Sequence, residues 1–394
     1  MITGLPLVRA LPGAGAVLAH GVGTRADLPL PLSYVVVGGG LAVLVSFVAL
    51  GALWRTPRLR GADAGRPVPP AVLGLVAGRD LRALLRSMAL ALTVLVIVVA
   101  FFGDPSVAGN AAPHRSDPRR DGLFLTGYAV VHLVAAVLTG ETWFSRGDGF
   151  EVYSRLFGAL APIGRRRDGV MVFRNPLDGV AAVPLRRGLA AVVLVLVGST
   201  AFAGLTRTLW WQGWVGGISV GGISAGGISG AGEVTLSVTT AGLAATIALV
   251  ALLYAAATTA CGRLGGYRGA AARFAHSVVP IAAGYAIAHY FSLLVFDGQF
   301  SWILLSDPFG TGLDLLGLRD ASVDYTVLTA RAIAGVQVGA IVGGHVVGVV
   351  LAHDRALALA AGASGQRRPV LSQVPLLTLM VTLTVGALLL LLGG

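Results

Sequence analysis

The side chains best equipped for chemistry in this chain lie inside apolar stretches. His132 stands in GYAVVHLVAAV, His289 in PIAAGYAIAHYFSLL and His345 in GAIVGGHVVGV. Neutral imidazole ligates zinc, copper or iron, and it also takes up and returns protons near neutral pH. Tyr128 precedes His132 by one helical turn, and Tyr285 precedes His289 by one, so each pair shares a face. Gln337, His353 and Asp354 belong to the same stretch as His345. Polar groups in hydrocarbon are costly and face a bundle interior or mark a pathway or site. These residue types predict a metal set of His132, His289 and His345 holding a divalent transition metal. Tyr128, Tyr285, Gln337, His353 and Asp354 are the accompanying polar intramembrane groups. No residue is assigned a catalytic or substrate-binding role.

Depth is what groups them. At about 1.5 Å per residue, His289 lies roughly 12 Å below the outer end of its stretch and Gln337 about as far below its own. His132 lies roughly 13 Å from the outer end of a third stretch. Together they predict one outward-facing layer. The plainer alternative is that each histidine donates one hydrogen bond to a neighbouring helix and holds the bundle together. No HExxH, no histidine pair at i, i+4 and no CxxC occurs, so no spacing specifies a metal. No GxSxG marks a serine hydrolase, and Gly38–Gly40 precedes no GK[ST] phosphate loop. His353-Asp354-Arg355 reads as a helix C-terminus, where His and Arg favour the dipole and Asp354 pairs with Arg355. A metal or proton-entry site is its other reading. His20 would chelate copper through its amine and ring if the chain were cleaved after Ala19.

The elements that carry these residues follow from composition. Of 394 residues, 55% are hydrophobic and 12% charged, about half the charge of a soluble domain. The fold class is therefore an all-α polytopic transmembrane bundle of about eight spans in the lipid bilayer of the cell membrane. The apolar runs are Ser33–Leu53, Leu84–Phe102, Leu123–Gly140, Gly188–Leu205, Thr240–Cys261, Phe274–Phe296, Leu328–His353 and Leu371–Leu392. All of 1–394 reads as a single membrane domain: 1–32 an extracytoplasmic segment, 33–392 the bundle. The single cysteine, Cys261, leaves no internal disulfide.

The net charge of +11 comes from arginine, since the sequence contains no lysine. Arginines crowd the loops after the first, third, fifth and seventh runs, which places those loops in the cytoplasm and both termini outside. The same bias accounts for the charge without nucleic acid. Arg115, Arg119 and Arg120 fit badly, falling on the outer side. Glu141–Ala161 reads as an interfacial segment. Trp210–Gly232 carries GGIS at Gly216, Gly221 and Gly226, a composition that holds helix poorly. It predicts an outer loop anchored by Trp210, Trp211 and Trp214, with re-entrant backbone as the alternative. The acidic stretch Asp297–Asp324 is too apolar for a linker and predicts a cover over the bundle mouth.

Several strings are familiar together: AHGVGTRADLPLP (Ala19–Pro31), WFSRGDGFEVYSRL (Trp143–Leu156), GSTAF with TRTLWW (Gly198–Trp211), PIAAGYAIAHYFSLL (Pro280–Leu294) and GHVVGVVLAHDRAL (Gly344–Leu357). In order and over most of the chain, they resemble a family of actinobacterial multipass membrane proteins commonly labelled fenitrothion hydrolase. The resemblance implies hydrolysis of organophosphate-type esters, a reaction that uses metal-activated water. It carries no residue-by-residue catalytic assignment. The chain departs from the pattern after Pro113, where HRSDPRRDG leads directly to Leu123 in place of further hydrophobic sequence. Two readings of another class stand beside it: a transporter or ion- or proton-conducting protein for a small molecule or ion, and a non-catalytic subunit or assembly factor of a membrane complex.

Overall fold

Hydrocarbon offers the backbone no water to bond, so a chain entering it must satisfy its amides internally, as helix. The computed structural model describes residues 31–76, 78–102, 118–186, 188–361 and 370–392, and these are helical almost throughout. The helices in order are α1 (Leu32–Leu53), α2 (Pro70–Val76), α3 (Arg79–Phe102), α4 (Pro118–Thr139), α5 (Phe144–Gly147), α6 (Gly149–Gly158) and α7 (Pro176–Ala181). There follow α8 (Leu189–Leu205), α9 (Leu209–Gly265), α10 (Ala270–Phe274), α11 (Val279–Ser306), α12 (Ala330–Ala361) and α13 (Val374–Leu392). Seven helical stretches are long and apolar enough to cross a membrane, and an eighth follows if α8 and Leu209–Ile218, bent by 79°, count as one. The chain is thus an all-α, multipass membrane protein.

The bundle is built around α12. It packs on α11, α1 and α13, and its inner end meets α7 and the 3-10 turn Ala275–Val278. The α11–α12 seam is the tightest, because glycines remove the side chains that would hold the backbones apart. A Cβ on Gly344 would stand 2.6 Å from the Pro280 carbonyl oxygen, and one on Gly348 2.7 Å from that of Ser277. Gly284 sits equally close under the Ala340 carbonyl. These three contacts fix an antiparallel register in which Ala340, Gly344 and Gly348 face Gly284, Pro280 and Ser277 in turn. Small residues at such spacing let helices approach in lipid.

Three expectations are corrected. Helix α12 continues to Ala361, so His353-Asp354-Arg355 lies within a helix and not at its end; Ala356, Ala358, Ala360 and Ala361 are strong helix formers that extend it. The GGIS segment keeps helical backbone within α9. The 57 residues of α9 cannot run straight, however. Trp211 lies against Gly242, whereas a straight helix would separate them by about 46 Å. The chain doubles back between them, so that Gly198 of α8 meets Ile247 and Phe202 meets Gly242. The third correction is a small antiparallel sheet. Strands β1 (Arg66–Pro67), β2 (Ile163–Arg165) and β3 (Met171–Phe173) pair in the order β1-β3-β2. Strands of two or three residues leave no alternation to detect. The readings on cleavage after Ala19, on His20, on Arg115 and on the departure after Pro113 lie outside the described residues.

Candidate functional site

The last third of α12 carries a polar junction with the loop after α1 and with Gln373. Asp354 Oδ1 accepts hydrogen bonds from the Arg58 amide at 2.6 Å, the Leu59 amide at 3.3 Å and the Trp54 indole Nε1 at 3.3 Å. Its partners are thus the loop after α1, and not Arg355. His353 Nε2 lies 2.9 Å from the Trp54 carbonyl, which can only accept, so Nε2 carries a proton. Its Nδ1 lies 2.9 Å from the side-chain amide of Gln373. The NH₂ end of that amide completes a neutral ring and the carbonyl end an imidazolium, so the pair suits either charge state. Arg355 Nη2 donates to the Ala181 carbonyl at 3.1 Å. Nearby, Asp178 accepts from the Arg60 and Gly61 amides.

Further along the seam the situation reverses. Gln337 is buried, and neither polar atom of its side-chain amide has a hydrogen-bond partner among the described residues. His345 Nδ1 donates to the Ile341 carbonyl at 2.8 Å, leaving Nε2 buried and unpartnered. The Tyr285 hydroxyl and His276 Nδ1 are likewise buried without partners. Each such group costs about 1–3 kcal/mol. The register sets their depths. With Gly284 under Ala340, Tyr285 falls between Gln337 and His345; with Ser277 facing Gly348, His276 falls between His345 and His353. From residue 337 to residue 353 is about 24 Å along the helix axis, most of a hydrocarbon core about 30 Å thick. His289 stacks on Tyr285, ring centroids 6.1 Å apart. It sits one turn from Tyr285 along α11, and the seam register places it within about a turn of Gln337.

His132 keeps different company. Its Nδ1 accepts from Trp143 Nε1 at 2.9 Å, which requires the ring to be neutral and protonated on Nε2. Its ring lies 4.1 Å from that of Tyr128, and the Tyr128 hydroxyl donates to Asp148 Oδ1 at 2.6 Å. Asp148 is the N-cap of α6, accepting from the Phe150 and Glu151 amides. Burial pushes its carboxyl up, but the bonds from Tyr128 and the two amides outweigh this and hold it below the usual carboxylate range. The turn at Gly140, φ +85°, sends the chain back along α4 so that these contacts form.

Among the described residues, no three His, Cys, Asp or Glu side chains are grouped so as to hold a metal ion, so His132, His289 and His345 do not form a ligand set. A shallow hollow of ≈ 440 Å³ opens among Asp63, Arg166, Arg167 and Asp168. Those charges already pair with one another, Arg166 with Asp168 at 2.6 Å and Arg167 with Asp63 at 3.0 Å. Beside Gln373, Phe47 and Met380 lies a slit of ≈ 10 Å³, about the room one water takes. Two acids of the loop after α11 are committed locally: Asp307 accepts from the Thr311 and Gly312 amides, and Asp314 from the Ser306 hydroxyl and the Leu318 and Arg319 amides.

The residue-by-residue reading did not reach the glycines of the seam, nor Trp54, Gln373 and Asp178. The spacing Gly344–Gly348 was a usable signal for the first. The others are distant partners in the chain that nothing local announces. In comparisons with known proteins, no family model, curated protein or solved structure matches the chain.

Proposed function

We propose that the chain conducts protons along the α11–α12 seam. What supports the reading is one observation: Gln337, Tyr285, His345 and His276 each bury at least one side-chain polar atom that has no hydrogen-bond partner among the described residues, at staggered levels along the seam that lead to His353. A proton passes between side chains that can both accept and donate, and it needs no chamber. His345 presents a bare Nε2 in its neutral form. Gln337 and Tyr285 each offer a donor and an acceptor. The series ends at His353, whose ring lies between the Trp54 carbonyl and the Gln373 side-chain amide. A metal-dependent ester hydrolase, which the family resemblance implies, would rest on His132, His289 and His345 as ligands, and stoichiometric zinc, copper, iron or manganese in the purified protein would favour it.

The test is flux. Purified protein in liposomes carrying a pH-sensitive dye should collapse an imposed pH gradient. His345→Ala and Gln337→Leu should each slow that collapse by roughly 100-fold, the scale of losing one proton-transfer group. Wild-type flux no faster than that of protein-free liposomes, or variants as fast as wild type, would overturn the proposal.

A further inference from the structure

The small sheet beside the inner ends of the spans has a face the bundle does not use. Directly paired residues point to the same side, so the register of Arg66 with Phe173 and of Arg165 with Met171 puts all four on one face. Val172 lies on the other face and is fully buried. Arg66 and Arg165 are exposed, and Phe173 and Val170 remain 42% and 39% exposed. The neighbouring acids do not neutralise this face. Asp63 pairs with Arg167, Asp168 with Arg166, and Asp178 caps the Arg60 and Gly61 amides. Arg165 bonds only the Gly169 carbonyl, and Arg66 makes no ion pair among the described residues.

The sheet is also held close to the spans. Ile163 follows α6 after only a few residues. Helix α7, just past β3, is tied to α12 through Arg355 and the Ala181 carbonyl. Two uncompensated guanidinium groups flanking an exposed aromatic ring, tethered this near to membrane-crossing helices, match a surface of phosphates over an acyl boundary. Guanidinium also pairs with phosphate in a bidentate fork.

We infer that the β1–β3–β2 face carrying Arg66, Arg165 and Phe173 docks on anionic phospholipid headgroups of the leaflet beside it. The inference is independent of proton conduction. It is tested by purifying the full chain into nanodiscs of mixed phosphatidylcholine and phosphatidylglycerol and counting retained lipids by native mass spectrometry. Wild type should retain phosphatidylglycerol preferentially. Arg66→Gln and Arg165→Gln together should cut that preference by roughly 25-fold, about fivefold per arginine. Phe173→Ser should weaken retention of both lipids. Arg331→Gln, at the far end of α12, should change nothing. Equal retention of the two lipids by wild type, or an unchanged preference in the double variant, would overturn the inference. Competition by millimolar inorganic phosphate at unchanged lipid composition would do so too, because it would mark a free-anion site.

Discussion

Two halves of α12 carry polar residues of similar kind to opposite effect. In the C-terminal half, His353, Asp354 and Arg355 hold the loop after α1, the turn before α13 and the end of α7. In the outer half, Gln337 and His345 are as deeply buried, yet they leave three side-chain atoms without partners. Buried polar groups that are fully bonded fix a structure. Those left open raise its free energy, and a protein keeps them where they act. The contrast separates architecture from candidate chemistry within one helix.

It can be broken by substitution. Asp354→Ala should have the largest effect on stability, about 3 kcal/mol, because it strands the Trp54, Arg58 and Leu59 donors. Unfolding of the purified protein in mixed micelles would measure it, and a loss no greater than that of a surface substitution would remove the junction from the architecture. Gly344→Ala should cost about 2 kcal/mol by wedging a methyl group against the Pro280 carbonyl. A disulfide cross-linking series across α11 and α12 should report a wider seam.

Gln337→Leu sharpens the contrast, because its two readouts should part. Stability should rise by about 1 kcal/mol as an unpaired amide leaves the interior, while proton flux is lost. A destabilised Gln337→Leu would mean that the amide is bonded and belongs with the architecture.

The smallest effect is a matter of pH in the outer loop. The Ser306 hydroxyl and the Leu318 and Arg319 amides hold the Asp314 carboxyl below its ordinary value of 3.8. Bonds from the Thr326 hydroxyl and amide do the same for Asp324. Carboxyls depressed by folding stabilise the loop above the unfolded value and cease to do so as pH falls through the folded one. Amide exchange over residues 307–326 should therefore be flat from neutral pH down to about 4 once corrected for intrinsic rates, and should rise only below it. Protection lost already near pH 6 would contradict this.

Much of the fold was legible because hydropathy is a strong signal. Leu371–Leu392 coincides with the span in the structure, and Ser33–Leu53 differs by one residue from Leu32–Leu53. What stayed hidden is of two kinds. One is carried by glycine, whose role at Gly284, Gly344 and Gly348 is the absence of a side chain. The other depends on partners far along the chain. Asp354 looked like the neighbour of Arg355, and only the folded bundle brings it to Arg58. His132 was grouped with His289 on depth alone, which says nothing of lateral position; the turn at Gly140 gives it Trp143 instead.

The bond between Trp54 and Asp354 joins residues 300 positions apart, and that has a meaning for biogenesis. A ribosome adding roughly 5–20 residues per second needs about 15–60 s to cover that interval. Throughout it, the Arg58 and Leu59 amides of the loop after α1 wait unclaimed, although Asp178 can take those of Arg60 and Gly61 earlier. The first helix can enter the bilayer early, but its inner end is set only when α12 arrives. A nascent chain halted before α12 should therefore leave that loop open to a protease that cannot cut it in the finished protein.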